Sequence, residues 1–319
     1  MRRVAIVAAL VLATIGCANL SDAEDGTDFD AAAAQGADTG SRSADASGHE
    51  DALQGKTKRI RIVAANLSSG KKQSYDPGHG KRILQGLKPD IVLIQEFNVG
   101  NNGAAAVAAF VTDTFGVGFS TYRESGLAIP NIPNGVISRF PILESGSWDD
   151  SNANNREFAW ARIDVPGTRD LWAVSLHLLT SSSSARAEQI KQLVGYIEAN
   201  VPASDLLVVG GDLNTNTVSE ASLKGFDGLL DRQRKPADLS GNGHTNAPRN
   251  KPYDRLFADS DLEGLSVAVA IGSRTFDNGL VFDSRVYSPL ADVAPVQQGD
   301  SGAESMQHMA VVRDFSLVF

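Results

Sequence analysis

The stretch Val208-Val-Gly-Gly-Asp-Leu-Asn-Thr-Asn216 begins as an apolar run and ends in one Asp and two Asn. With Asp205-Leu-Leu before it, the run has the composition of a strand buried on both faces. Gly210 and Gly211 let the backbone turn sharply or approach a neighbour closely. If the chain stays extended beyond them, Asp212 and Asn214 point the same way, because side chains alternate with period two. A carboxylate and an amide would then be presented together. Turn chemistry, in which Asp and Asn bond their own backbone, accounts for the same string equally well. Its neighbours along the chain decide the matter.

From Lys56 onward, strand-like and helix-like patterns alternate without a repeat or a break in composition, as in one α/β domain running to Phe319. Strands are expected at Arg59–Asn66, Ile91–Ile94, Phe119–Arg123, Gly135–Ser138, Glu157–Asp164 and Leu171–His177. More follow at Tyr253–Phe257, Leu265–Ile271, Leu280–Phe282 and Val311–Phe319. Helices are expected at His79–Leu87 and Asn102–Phe115. The clearest spans Ser184–Asn200, where Ile190, Leu193, Val194, Ile197 and Val201 share one face, serines precede and Pro202 follows. Residues 226–251, rich in Gly, Asn and Pro, read as loop.

Polar residues end these apolar runs in succession. Asn66 closes the first strand, Gln95-Glu96 the second, His177 another, and Asp212 and Asn214 the run quoted above. Asp254 opens a strand and His308 precedes the last. Any one of these reads as a cap or a satisfied polar group. Together they form an oxygen-rich set suited to Mg²⁺, with His and Asn able to hold a phosphate or protonate a leaving oxygen.

The motifs AANLSSG, DIVLIQEF, IPNGVISRFPI, LWAVSLHLLT, VVGGDLNT, KPYDRLF and QHMAVVRDF occur in the order found in the endonuclease/exonuclease/phosphatase superfamily. That superfamily includes deoxyribonucleases, apurinic endonucleases, inositol polyphosphate phosphatases and bacterial sphingomyelinases. The resemblance covers nearly all of Arg59–Phe319. It implies a four-layer α/β/β/α sandwich of two packed mixed sheets, with the site at one end. It also implies roles by matched position. Glu96, with Asn66 close by, would bind Mg²⁺, or Mn²⁺ or Ca²⁺ in its place. Asp212 would orient or deprotonate the attacking water, Asn214 and His177 would hold the phosphate, and Asp254 would orient His308. Arg123, Arg139 and Arg156 are phosphate-contact candidates, each equally readable as a structural ion pair. Glu124 is a candidate partner for His177. His244, in Gly241-Asn-Gly-His244, reads as a loop residue.

The match departs from the family at Met306-Gln307-His308, where Ser-Asp-His is usual; with every other motif residue present, this reads as a subfamily variation. The implied function is a metal-dependent phosphoric ester hydrolase acting on phosphodiesters. The fold does not choose among nucleic acid, phospholipid and inositol phosphate, and nucleic acid is slightly preferred because no exposed Trp or Phe cluster stands out that could insert into a membrane. The alternative is a catalytically silent, surface-tethered binding protein on the same fold. A monomer is expected.

The 319 residues are 42% hydrophobic and 21% charged, which suits a soluble globular protein with one cysteine and no internal disulfide. The start differs from the rest. Met1-Arg-Arg, an apolar run from Val4 to Ile15 and Gly16-Cys17 form an export signal over residues 1–17. Cys17 at its end resembles the lipidated cysteine of the bacterial lipoprotein box, although Thr14 stands where Leu is usual. The expected location is outside the cytoplasm, as an outer-membrane or cell-surface lipoprotein, or periplasmic or secreted if cleavage falls near Ala13 instead. Residues 18–55 carry nine acids against Arg42 and almost no large apolar side chain, the composition of an acidic disordered tether. That segment holds a net charge of −8 and Arg2 with Arg3 add +2, leaving −3 of the total −9 for Lys56–Phe319. The folded part is therefore not a standing electrostatic binder of nucleic acid.

Overall fold

In this computed structural model, residues 55–69 and 73–319 are described. The expected signal with Cys17, and the acidic segment up to residue 54, lie outside the described residues. A seven-stranded mixed sheet is built from β1 (Thr57–Ala65), β2 (Ile91–Ile94), β3 (Ser120–Arg123), β4 (Gly135–Ser138), β10 (Ser266–Val267), β13 (Leu280–Phe282) and β14 (Ala310–Val318). Its order is β10-β14-β1-β2-β4-β3, with β13 also pairing with β14. The second, five-stranded sheet runs β5 (Ile142–Trp148), β6 (Phe158–Ile163), β7 (Leu171–His177), β8 (Leu206–Asp212) and β9 (Asp254–Ala258). Only β1–β2 and β7–β8 pair in parallel within the two sheets.

Alternation along the strands assigns each face its layer. Ile60, Ile62 and Ala64 of β1 meet Ala173, Val208 and Leu256 of the second sheet in the central core. The alternate residues Val63, Val92 and Ile94 pack outward on α1 (His79–Leu87) and α2 (Ala104–Phe115), through Ile83, Leu84 and Phe110. On the far side, Val174 and Val209 pack on Ile190, Leu193 and Ile197 of α3 (Ser183–Asn200). The result is the α/β/β/α sandwich, each sheet buried on both faces as its apolar runs require. Ser182 caps α3 by accepting from the Ala185 N–H at 3.1 Å, and Pro202 follows its end.

The polar ends of the strands emerge at one edge of this sandwich. His177, Asp212 and Asp254 are direct register partners across β7, β8 and β9. Gly211, with a φ of +140°, lets β8 pass close to the first sheet, since a Cβ there would overlap the Leu176 carbonyl and lie 2.7 Å from Gln95 Nε2. Gln95 reaches between the sheets and donates to Ser175 Oγ at 2.8 Å.

Three expectations need correction. Ile142–Trp148 is a strand, and β12 (Arg274–Phe276) pairs with β11 (Val269–Ile271), whereas neither β5 nor β12 stands out in the sequence. The single strand read over Leu265–Ile271 divides between β10 and β11, which join different sheets. The chain is also not extended through Asn214, whose φ is +50°. The short helix α4 (Ser260–Glu263) follows β9. Among the described residues no helix is long and apolar enough to cross a membrane.

Candidate active site

Asp212 is the hub of the site. Its Oδ2 lies 3.0 Å from Asn66 Nδ2, which donates to it, 3.3 Å from His177 Nε2 and 3.6 Å from His308 Nδ1. Asn66 also donates to Glu96 Oε1 at 3.3 Å, and Gln307 Nε2 donates to Glu96 Oε2 at 3.1 Å. His308 Nδ1 is 3.1 Å from Asp254, which leaves Nε2 as the ring nitrogen able to face a substrate. The structure thus brings together Asn66, Glu96, His177, Asp212, Asp254 and His308, all buried.

Two left-handed residues shape this cluster. Alternation along β2 would carry Glu96 to the outer face, opposite Gln95, yet its φ of +49° swings the carboxylate back towards Asp212. Asn214 is the second, placed so that its backbone N–H donates to Asp212 Oδ1 at 2.9 Å while its Nδ2 donates to the Leu178 carbonyl at 2.9 Å. Strained, non-glycine backbone of this kind is typical of functional sites.

The charges follow from burial and neighbours. Glu96 is pushed up to about 7, first by burial and then by the adjacent Asp212. His177 is pulled down to about 3 by burial, against the opposing pull of Asp212, so it is neutral at physiological pH. Burial also works against a charged His308, but Asp254 and Asp212 outweigh it and raise the ring to about 9. The centre therefore pairs a neutral imidazole with an imidazolium.

A divalent cation fits beside Glu96. Asn66 Oδ1 is buried without a partner, next to a carboxylate that burial and Asp212 leave short of compensating charge. Carboxylate and amide oxygens are the ligands that hard ions such as Mg²⁺ take, with Mn²⁺ or Ca²⁺ as substitutes. Donor atoms of Asp212, Asp254 and His308 also lie within 4.8 Å of one another, but a cation there would have to displace the His308 proton.

The remaining candidates sort differently. Arg156 is buried and uses its guanidinium within the protein, donating from Nε to the His177 carbonyl at 2.5 Å, from Nη2 to the Leu178 carbonyl at 3.2 Å and from Nη1 to Asn155 Oδ1 at 3.0 Å. It props the end of β7 that carries His177. Arg123 donates to the Phe97 carbonyl at 2.6 Å and to Asn98 Oδ1 at 3.2 Å, bracing the segment after Glu96. Arg139 pairs with Asp90 at 3.3 Å, beyond the start of β2 and so at the opposite end of the sheet from Glu96. It does not belong to the site. Glu124 does not pair with His177; it accepts from the Asn134 N–H at 2.7 Å, and the carboxylates nearest His177 are Asp212 and Glu96, at 3.3 and 4.0 Å.

The sequence reading missed Thr245, in the stretch read as loop. Its Oγ1 accepts from the Asp254 N–H at 2.8 Å and its carbonyl accepts from the Met309 N–H at 2.7 Å, tying the segments of Asp254 and His308 together. His244 beside it stays a loop residue. Tyr253 was also missed; its ring centroid lies 5.3 Å from that of His308. Nothing in their local sequence distinguishes either residue.

Fold and centre together define an α/β/β/α sandwich with a carboxylate–imidazole cluster at one end of two sheets. Residues 58–274 match the model of the Endonuclease/Exonuclease/phosphatase family, and the chain belongs to that family, one of phosphoester hydrolases. An endonuclease/exonuclease/phosphatase from Beutenbergia cavernae is similar over 82% of this chain and 72% of its own, with 19% identity and a TM-score of 0.54. A family protein from Bacteroides vulgatus matches over 82% of this chain and 100% of its own at 13% identity, TM-score 0.55. Humanized TDP2 of D. rerio matches over 81% of this chain and 98% of its own at 16% identity, TM-score 0.52. At these identities the likeness is one of fold. No curated protein matches the chain.

Proposed function

We propose that the domain hydrolyses phosphodiester bonds by in-line attack of water, outside the cytoplasm, on a chain anchored through Cys17. The observation that carries this is the Asp212 carboxylate, held by Asn66 and flanked by His177 and His308, beside Glu96 and the unpartnered Asn66 Oδ1. Asp212 takes the proton of the attacking water. His177 and Asn214 hold the phosphate, and Asp254 keeps Nε2 of His308 aimed at it. The imidazolium of His308 supplies positive charge, or a proton, to an oxygen that gains negative charge as the bond breaks. Glu96 and Asn66 would hold the divalent cation, which supplies further charge stabilisation when bound.

Nucleic acid is the preferred substrate class. Supporting it over a lipid, Trp148, Trp160 and Trp172 stack in one ladder with centroids 5.5 and 5.1 Å apart, committed to packing rather than to a membrane-inserting hairpin. The deciding measurement is hydrolysis of bis-p-nitrophenyl phosphate with and without EDTA, followed by plasmid DNA, RNA and sphingomyelin. Metal-dependent turnover is expected. None at any metal concentration would favour a silent binding protein.

A further inference from the structure

On the outer face of the second sheet, behind the catalytic residues, lies a pocket of about 420 Å³. Side chains alternate along β9, so Asp254 faces the centre and its neighbour Arg255 faces out, beside Phe257. Arg232, Arg234, Lys235 and Arg255 line this pocket, and none of its lining residues is acidic. That concentration is unexpected in a folded region whose net charge is −3. Arg232 and Arg234 have partners at the margin, in Asp227 and Glu263. Arg255 and Lys235 form no ion pair among the described residues, and Nε and Nη2 of Arg255 are buried without any hydrogen-bond acceptor.

A largely buried guanidinium lacking an acceptor is costly, because its hydration is lost and nothing replaces it. Burial pulls Arg255 down to about 10, opposed by Asp254 alone. An anion in the pocket would lower this cost. The rest of the wall is mainly apolar, from Val218, Leu223, Pro236 and Phe257, with Ser219 and His244 as further polar groups. The volume lies in the range of small-molecule sites, where a few polar groups fix a ligand against an apolar wall. Arginine and lysine together suit phosphate best, the guanidinium by its fork of donors and the ammonium as a point charge.

We propose that this pocket is a second anion site, separate from the catalytic centre, that takes the phosphate of a small phosphomonoester carrying a planar or apolar body. Arg255 and Lys235 hold the phosphate, and Phe257 with Val218 and Leu223 receives the body. The inference goes beyond the phosphodiesterase reading and does not require turnover.

The test is isothermal titration in EDTA with adenosine 5′-monophosphate and, separately, with inorganic phosphate. Adenosine 5′-monophosphate should bind, and more tightly than inorganic phosphate. Lys235→Ala and Arg255→Met should each weaken it about tenfold or more, the scale of a lost charge-assisted hydrogen bond. His308→Ala, at the centre, should leave it within about twofold. Because Arg255→Met alters a half-buried position on β9, Lys235→Glu, at an exposed one, provides the same test if that variant misfolds. Unchanged affinity in the Lys235 variants, loss on His308→Ala alone, or no binding at millimolar ligand would each overturn the proposal. Inactivity of wild type towards phosphodiesters, with this binding intact, would instead count against the catalytic reading only.

Discussion

Replacing Gln307 by Asp tests the cation position through a change of sign. Gln307 Nε2 donates to Glu96 Oε2 at 3.1 Å, a neutral contact on a carboxylate that burial and Asp212 already push up to about 7. The shorter Asp side chain would set a second negative charge about 4 Å from Glu96, a repulsion of about 4 kcal/mol at an effective dielectric near 20. Gln307 is half-buried, so solvent and relaxation reduce this. In EDTA the variant should therefore melt below wild type. A divalent cation between the two carboxylates reverses the sign, since both now attract it. After the desolvation cost of the added charge is subtracted, a net gain of about 1.4 kcal/mol would move the Mg²⁺ midpoint tenfold lower. Thermal unfolding of both proteins in EDTA and across a Mg²⁺ titration reads both effects. If the two melt alike in EDTA and share one Mg²⁺ midpoint, Gln307 does not adjoin a cation-binding carboxylate, and the placement of the ion at Glu96 is wrong.

Asp212→Asn keeps the shape and removes the proton acceptor, so turnover of bis-p-nitrophenyl phosphate should fall about a hundredfold or more with the fold intact; near wild-type turnover would exclude Asp212 as the base. The folded pKa of His308, about 9, lies above its ordinary 6.5, so its stabilisation is complete below pH 6.5 and is lost as pH rises through 9. Wild-type melting in EDTA should fall across that window, and His308→Ala should flatten the fall. Glu124 has the same pH dependence over a lower window: burial raises it from 4.5 to about 8, so stability falls as pH climbs between those values. Glu124→Gln should melt above wild type at pH 8 and alike at pH 4, and equal melting at both would contradict a protonated Glu124. Cys17→Ser should release the protein from the membrane fraction or leave it unprocessed; wild type found soluble and cut at another site would end the lipoprotein reading.

The strands that build the centre were legible because each is an apolar run with a polar end, a contrast that survives without any knowledge of neighbours. Strand β5 lacks it. Of its seven residues only Trp148 is buried, as befits an edge strand, so no alternation shows in Ile-Leu-Glu-Ser-Gly-Ser-Trp. The arginines were opaque for another reason. Sequence reveals a charge but not its partner, and Arg123 and Arg156 turned out to bond backbone carbonyls, while Arg139 bonds Asp90 across the far end of the sheet. Thr245 was hidden because its two partners lie nine and sixty-four residues further along the chain.

The Gly-Gly-Asp-Leu-Asn turn shows how local and functional chemistry can coexist in one side chain. Extended alternation was one reading of Asp212 and Asn214, and backbone turn chemistry the other. The structure contains the turn: the Asn214 N–H donates to Asp212 Oδ1, and Asn214 has the left-handed backbone that Asn tolerates. Yet a carboxylate has two oxygens. With Oδ1 engaged by the turn, Oδ2 is fixed in direction, towards Asn66, His177 and His308. The contact that made a purely structural account plausible is thus what immobilises the oxygen proposed to take the proton. Asp212→Asn retains an Oδ1 acceptor for the turn and loses only the anionic oxygen, which is why that substitution separates the two roles where Asp212→Ala would confound them.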